Sequence, residues 1–157
     1  MMKVGGDELH RRSGGYQPTV TQRGTVWTGQ FEPTPDSVAV VRTLVDGHLA
    51  HLEPTCREAV VLVASELATN VVRHARTPYE VHLVVDHRVS IRVTDAGPGL
   101  PRVRHPTPEQ SSGRGLLLVA TIATAWGVDH ADGRKVVWAD VARDVSLSDR
   151  RREPERP

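Results

Sequence analysis

The sequence predicts an α+β domain built as a two-layer α/β sandwich, with a mixed sheet and helices on one face. Two observations carry that expectation. From Glu80 the chain reads EVHLVVDHRVSIRVTDAG, in which Val81, Leu83, Val85 and then Val89, Ile91, Val93 alternate with mostly polar residues. Alternation buries one sheet face and wets the other, whereas strands covered on both faces read as continuous apolar runs. Before it, Val60, Val63, Leu67 and Val71 recur at helical spacing and supply the apolar face of a helix that can cover the buried side.

In chain order, Thr25 to Phe31 is the first predicted strand. Thr34 followed by Pro35 reads as an N-cap with proline at the first helical position, opening a helix to about Leu52. The next helix is expected to start at Thr55-Cys56-Arg57-Glu58, a capping box in which the Thr hydroxyl and the Glu carboxylate each satisfy a backbone N–H. Ala59, Val61, Leu62 and Ala64 make its first half apolar almost all round, which predicts burial on most sides. The alternating stretch then gives two strands joined at Asp86-His87-Arg88. A Pro-rich loop, PGLPRVRHPTPEQSS from Pro98 to Ser112, has few apolar residues and is expected to be a mobile lid that orders on ligand binding. A short helix from about Gly115 to Ala125 and two strands, near Gly127 to His130 and Lys135 to Val141, close the domain.

The domain is expected at residues 23–142, between disordered tails at 1–22 and 143–157 that cannot bury enough apolar area to offset ordering entropy. With 157 residues there is room for one domain of ordinary size. Twenty basic residues against 19 acidic leave a formal charge of +1, which gives no field to draw nucleic acid or a membrane surface. Lysine occurs only at Lys3 and Lys135, the other basic residues being arginine, a bias attributed to genome composition. Cys56 is the only cysteine, so an intrachain disulfide is excluded. No apolar run approaches the roughly 20 residues of a membrane span, and the start MMKVGGDELHRRSGG lacks the apolar core of a signal peptide, so a cytoplasmic location is expected. His48 and His51 share a predicted helix face, but without HExxH or paired cysteines they read as solvated rather than zinc-binding.

Three segments ask for a common explanation. Glu66, Asn70 and His74 lie four apart on the second helix and form a polar stripe. Asp95-Ala96-Gly97-Pro98-Gly99 leaves a strand, where glycines allow backbone to approach a ligand closely. Gly113-Arg114-Gly115 enters a helix, whose first N–H groups are free to bind phosphate. Taken singly these are a solvated face, a turn and a cap; together they suggest a nucleotide site. Neither a P-loop nor a Rossmann fingerprint is present.

On these segments the sequence resembles the ATP-binding superfamily of gyrase, Hsp90, histidine kinases and MutL, and within it the small anti-sigma factor serine/threonine kinases. ELATNVVRHA from Glu66 is similar to that family's N box, DAGPGL from Asp95 to its first glycine box, and GRGLLLV from Gly113 to its second. The likeness runs over about residues 31–141 and implies the Bergerat-type ATP-binding fold. It also implies that Asp95 accepts a hydrogen bond from the adenine amino group and that Gly97 and Gly99 let the loop pass close to base and ribose. Asn70 then corresponds to the magnesium ligand, and Glu66 to the general base that takes a proton from the attacking hydroxyl. Gly113, Arg114, Gly115 and Leu116 open the helix that cradles the phosphates, with His74 as a packing residue. Arg73 reads either as phosphate-facing or as solvated. Expected cofactors are ATP and Mg2+. The expected partners are a sigma factor and a small antagonist protein carrying the target serine, and the resemblance allows for a homodimer. A short loop from Leu100 to Ser112 and the lack of a dimerisation hairpin in residues 1–23 point to a stand-alone kinase or switch. A non-catalytic module in which ATP shapes a protein-binding surface is the alternative.

Overall fold

A computed structural model describes residues 19–21, 24–98 and 114–143. Strand β1 (Thr19–Thr21) and strand β2 (Gly24–Phe31) lead into helix α1 (Pro35–His48) and helix α2 (Pro54–Asn70). The chain continues through a π-helical turn, Val71–Ala75, into strands β3 (Tyr79–Val85) and β4 (Arg88–Asp95). Helix α3 (Arg114–Ile122) and strands β5 (Ala125–Ala131) and β6 (Arg134–Ala142) follow. The expected lid lies, from residue 99 to 112, outside the described residues.

The start of α1 is as the sequence predicts. The Thr34 hydroxyl accepts from Ser37 N–H at 3.3 Å, with Pro35 at the first helical position. Its end comes earlier than expected, at His48. Helix α2 departs from expectation at its start. Its N-cap is Glu53, without a side-chain cap bond, and Pro54 takes the first helical position, so the Thr55–Glu58 capping box does not form. Proline lacks the N–H that a helix start leaves unpaired and has φ already set for helix, so it begins the helix one residue before Thr55 could cap it.

Strand order is β1-β2-β3-β4-β6-β5, and every adjacent pair is antiparallel. The α+β, two-layer architecture therefore stands, but the sheet is antiparallel in its described pairings rather than mixed. The connection through α3 does lead from β4 to a strand of the same direction, β5. However, β6 occupies the slot between them. Its inward residues Val137, Ala139 and Val141 are buried, whereas β5 is largely exposed and suits an edge. The tight reversal that brings β6 back is Asp132-Gly133, with φ of 52° and 73°, a two-residue turn matched to strand twist. β1, within the span expected to be tail, pairs with β2.

Val81, Leu83, Val85, Val89, Ile91 and Val93 are all buried beneath Val41, Val45, Val60, Val63 and Leu67 of α1 and α2. Each such side chain contributes about 1.5–3 kcal/mol on burial. On the opposite sheet face, half-exposed polar pairs meet in register: Thr28 with His82, at 3.1 Å, and Ser90 with Asp140, at 2.6 Å. That distribution leaves the helices on one face. Leu62 is 39% exposed, so the all-round apolar first half of α2 has a solvent side after all, as a helix in an outer layer must. No helix among the described residues is long and apolar enough to cross a membrane.

Candidate functional site

Two clusters meet at the C-terminal end of α2. The first surrounds Asp95, the last residue of β4, which has no exposed surface. Its Oδ1 accepts from the Gly97 N–H at 2.8 Å, an Asx-type turn that folds the first glycine box back over the strand end. The next N–H, of Ala96, donates to Thr77 Oγ1 at 3.2 Å. Oδ2 is buried with no hydrogen-bond partner among the described residues. Lys135, opposite Asp95 in the β4–β6 register and 8% exposed, brings its Nζ to 3.5 Å of that oxygen. A buried carboxylate is costly without a counter-charge, and an orphaned acceptor in a folded protein calls for a reason. Lys135 answers the first requirement and leaves the second open, so the site suits a ligand that presents an N–H donor.

Gly97 is held by contact as well as by its hydrogen bond. A Cβ there would collide with Ala75 Cβ and stand 2.7 Å from Ala75 Cα, so only glycine permits this approach. Ala75 ends the π-helical turn, and Arg76 closes it in the left-handed region, φ 54°, with its N–H bonded to Val71 O at 2.9 Å. Single π turns inside helices recur at functional sites. Here the turn carries the end of α2 to the glycine box. Of the predicted stripe, Glu66 and Asn70 are half-buried on α2, whereas His74 lies on the π-helical turn and is exposed. Arg73 is exposed too.

The second cluster joins Glu66 to α3. A Cβ on Gly115 would run into the Glu66 carboxylate, so that carboxylate rests against the first turn of α3. The N–H groups of that turn have no intrahelical acceptors. Leu116 and Val119, 4% and 0% exposed, anchor α3 in the core, while Arg114 is exposed. Leu116 is thus a packing residue whose position fixes the helix start. Asn70, half-buried, stands one turn beyond Glu66 on α2. Gly99 and Gly113 lie outside the described residues.

Beside Asp95 in the β3–β4 register is Tyr79, whose hydroxyl pairs with Ser37 Oγ at 2.7 Å and whose ring stacks on Phe31 at 5.5 Å. Burial pushes the Tyr79 phenol up, and the Ser37 hydrogen bond offsets this in part. Tyr79 so ties α1 to the strand that flanks the carboxylate.

Sequence reasoning missed Lys135, Thr77 and Ala75. The signal for Lys135 was present: one of two lysines in the chain, at an inward position of the alternating strand RKVVWADVA. Thr77 and Ala75 act through a turn that no local pattern announced.

A buried carboxylate at the end of β4 and the first turn of α3, with Gly115 against Glu66, thus flank the C-terminal end of α2 in a two-layer domain. Residues 31–141 match the model of the histidine kinase-like ATPase domain, and the chain belongs to that family of ATP-binding, kinase-like domains. The chain is 33% identical over 109 residues to the sensor protein RstB of Escherichia coli (strain K12), covering 60% of this chain and 24% of that protein. The chain of the RsbU and RsbW domains of Rv1364c from Mycobacterium tuberculosis superposes with a TM-score of 0.57 at 17% identity, covering 77% of this chain and 34% of that one. The catalytic domain of the histidine kinase ThkA is a further similar structure, at a TM-score of 0.46 and 13% identity over 74% of this chain and 95% of that one. The chain thus spans about a quarter of the curated relative and a third of the solved chain with the higher TM-score.

Proposed function

We propose that the chain binds Mg-ATP and acts as a protein serine/threonine kinase of the anti-sigma type, phosphorylating a serine on a small antagonist protein and so regulating a sigma factor. The observation that carries the nucleotide reading is the orphaned Oδ2 of Asp95. Adenine offers an amino donor at position 6, which this acceptor needs; guanine offers an oxygen there, which it would repel. Gly97 would give the base room, and the motif assigns Gly99, outside the described residues, the same part. A helix start has N–H groups without intrahelical acceptors, and those of Gly115 and Leu116 in the first turn of α3 suit phosphate oxygens, with Arg114 adding positive charge and Gly113 preceding the turn in the motif. Asn70 fits a magnesium ion that takes one amide oxygen from the protein and the rest from phosphate and water.

Glu66 is the group that separates a kinase from a binder. Its carboxylate, against the phosphate-facing turn of α3, can take the proton of an incoming serine hydroxyl while that oxygen bonds to the γ-phosphorus. The bond from that phosphorus to the bridging oxygen breaks, ADP leaves, and the proton passes from Glu66 to solvent. The same contact favours a second reading, in which Glu66 only holds α2 to α3 and ATP shapes a surface for a partner without chemistry. Calorimetric titration with ATP and GTP tests the shared nucleotide claim: ATP should bind far more tightly, and Asp95→Asn should weaken ATP. Equal affinity for the two nucleotides would remove Asp95 from base recognition. A pull-down from the native host with and without Mg-ATP supplies the candidate substrate.

A further inference from the structure

The geometry points to Lys135 as a second base-reading residue, donating to adenine N1 while Asp95 accepts from the 6-amino group. This rests on the ATP-binding reading above. Asp95 and Lys135 face each other across β4 and β6 on the helix-covered side of the sheet, and both are at least nine-tenths buried. A lysine ammonium has three N–H donors. Among the described residues its ion-pair partner is Asp95 Oδ2, at 3.5 Å, a spacing that leaves Oδ2 without a hydrogen bond. The pair therefore presents a donor and an acceptor side by side, neither one used up by the other. The Watson–Crick edge of adenine is the complement, since its 6-amino donor and its N1 acceptor are adjacent positions on one edge.

Guanine in the same pose is mismatched twice, with its O6 against Asp95 and its N1–H against Lys135. Leaving buried polar groups opposed rather than paired is what gives a site strong discrimination. The ammonium of Lys135 and the carboxylate of Asp95 together carry no net charge, whereas an isolated buried carboxylate would.

The test uses the full chain and analogues that alter one ring position. In 1-deaza-ATP, C–H replaces N1; in 7-deaza-ATP, N1 and the amino group both remain. By calorimetry, wild-type protein should bind 7-deaza-ATP like ATP and 1-deaza-ATP about 10- to 100-fold more weakly, the range for one hydrogen bond to a charged group. Lys135→Met should bind ATP at the weakened level and no longer distinguish ATP from 1-deaza-ATP. Equal binding of ATP and 1-deaza-ATP by wild type overturns the proposal, and needs no variant to fold. Tighter ATP binding by Lys135→Met also overturns it, since Lys135 would then compete with the base for Asp95. A 1-deaza penalty that persists in Lys135→Met assigns N1 to another group. Binding of no adenine nucleotide at all would instead fail the nucleotide reading on which the proposal stands.

Discussion

Gly97→Ala is the substitution whose consequence the structure fixes most tightly. The added Cβ would stand 2.7 Å from the Cα of Ala75 and collide with its Cβ, and neither atom can turn away as a side-chain tip could. Either the π-helical turn or the glycine-box loop must shift. If the core absorbs the strain, overpacking costs about 1–3 kcal/mol. If the loop yields, the 2.8 Å bond from Gly97 N–H to Asp95 Oδ1 is lost, and a bond to a charged acceptor is worth about 1.5–3 kcal/mol. These are alternatives, so the expected loss is about 1–3 kcal/mol rather than their sum, and the melting midpoint should fall by about 3–15 °C. Nucleotide affinity should fall as well, because Asp95 Oδ1 loses the bond that orients the carboxylate. Differential scanning calorimetry with and without ATP reads both effects. A Gly97→Ala protein that melts and binds like wild type would refute the packing of the glycine box on Ala75.

Two further outcomes are expected. Asn70→Ala should leave melting close to wild type, because Asn70 is half-buried on the last turn of α2, and should lower ATP affinity in Mg2+ but not in EDTA; isothermal titration in both buffers checks it. Burial lowers the pKa of the His48 imidazole, which packs against Trp27 at 5.3 Å, so the folded state favours its neutral form. That stability is present above the unfolded value of about 6.5 and is lost as pH falls through the lower folded value. The melting midpoint of His48→Phe should therefore drop less than that of wild type between about pH 7 and 5, and parallel curves would show that His48 is not the group.

What the sequence disclosed and what it hid divide along physical lines. Alternation in β3 and β4 is a local pattern set by two-fold side-chain geometry, and every inward residue it named is buried. Thr34 with Pro35 is likewise local, and the cap forms. Two local signals competed at the start of α2, and proline prevailed over the Thr55–Glu58 box because it acts on the backbone itself. Strand order is not local: the sequence shows a helix between β4 and β5, but whether β6 inserts between them depends on which strand buries more. The site divides in the same way. Asp95, Gly97, Glu66 and Gly115 are legible as motif residues, and the structure brings Gly97 to Ala75 and Glu66 to Gly115. Lys135 was a visible anomaly whose partner, 40 residues away, only the β4–β6 register identifies.

Phosphotransfer by Glu66→Gln tests the kinase reading most directly. The variant keeps size and polarity, so it should bind Mg-ATP as wild type does. With a substrate protein recovered by pull-down and labelled ATP, its single-turnover rate should fall about 10²- to 10⁴-fold, the usual cost of removing a general base. A Glu66→Gln protein that transfers phosphate at the wild-type rate would contradict the role given to Glu66, and a wild-type protein that binds Mg-ATP and its partner yet never transfers phosphate would contradict the kinase itself.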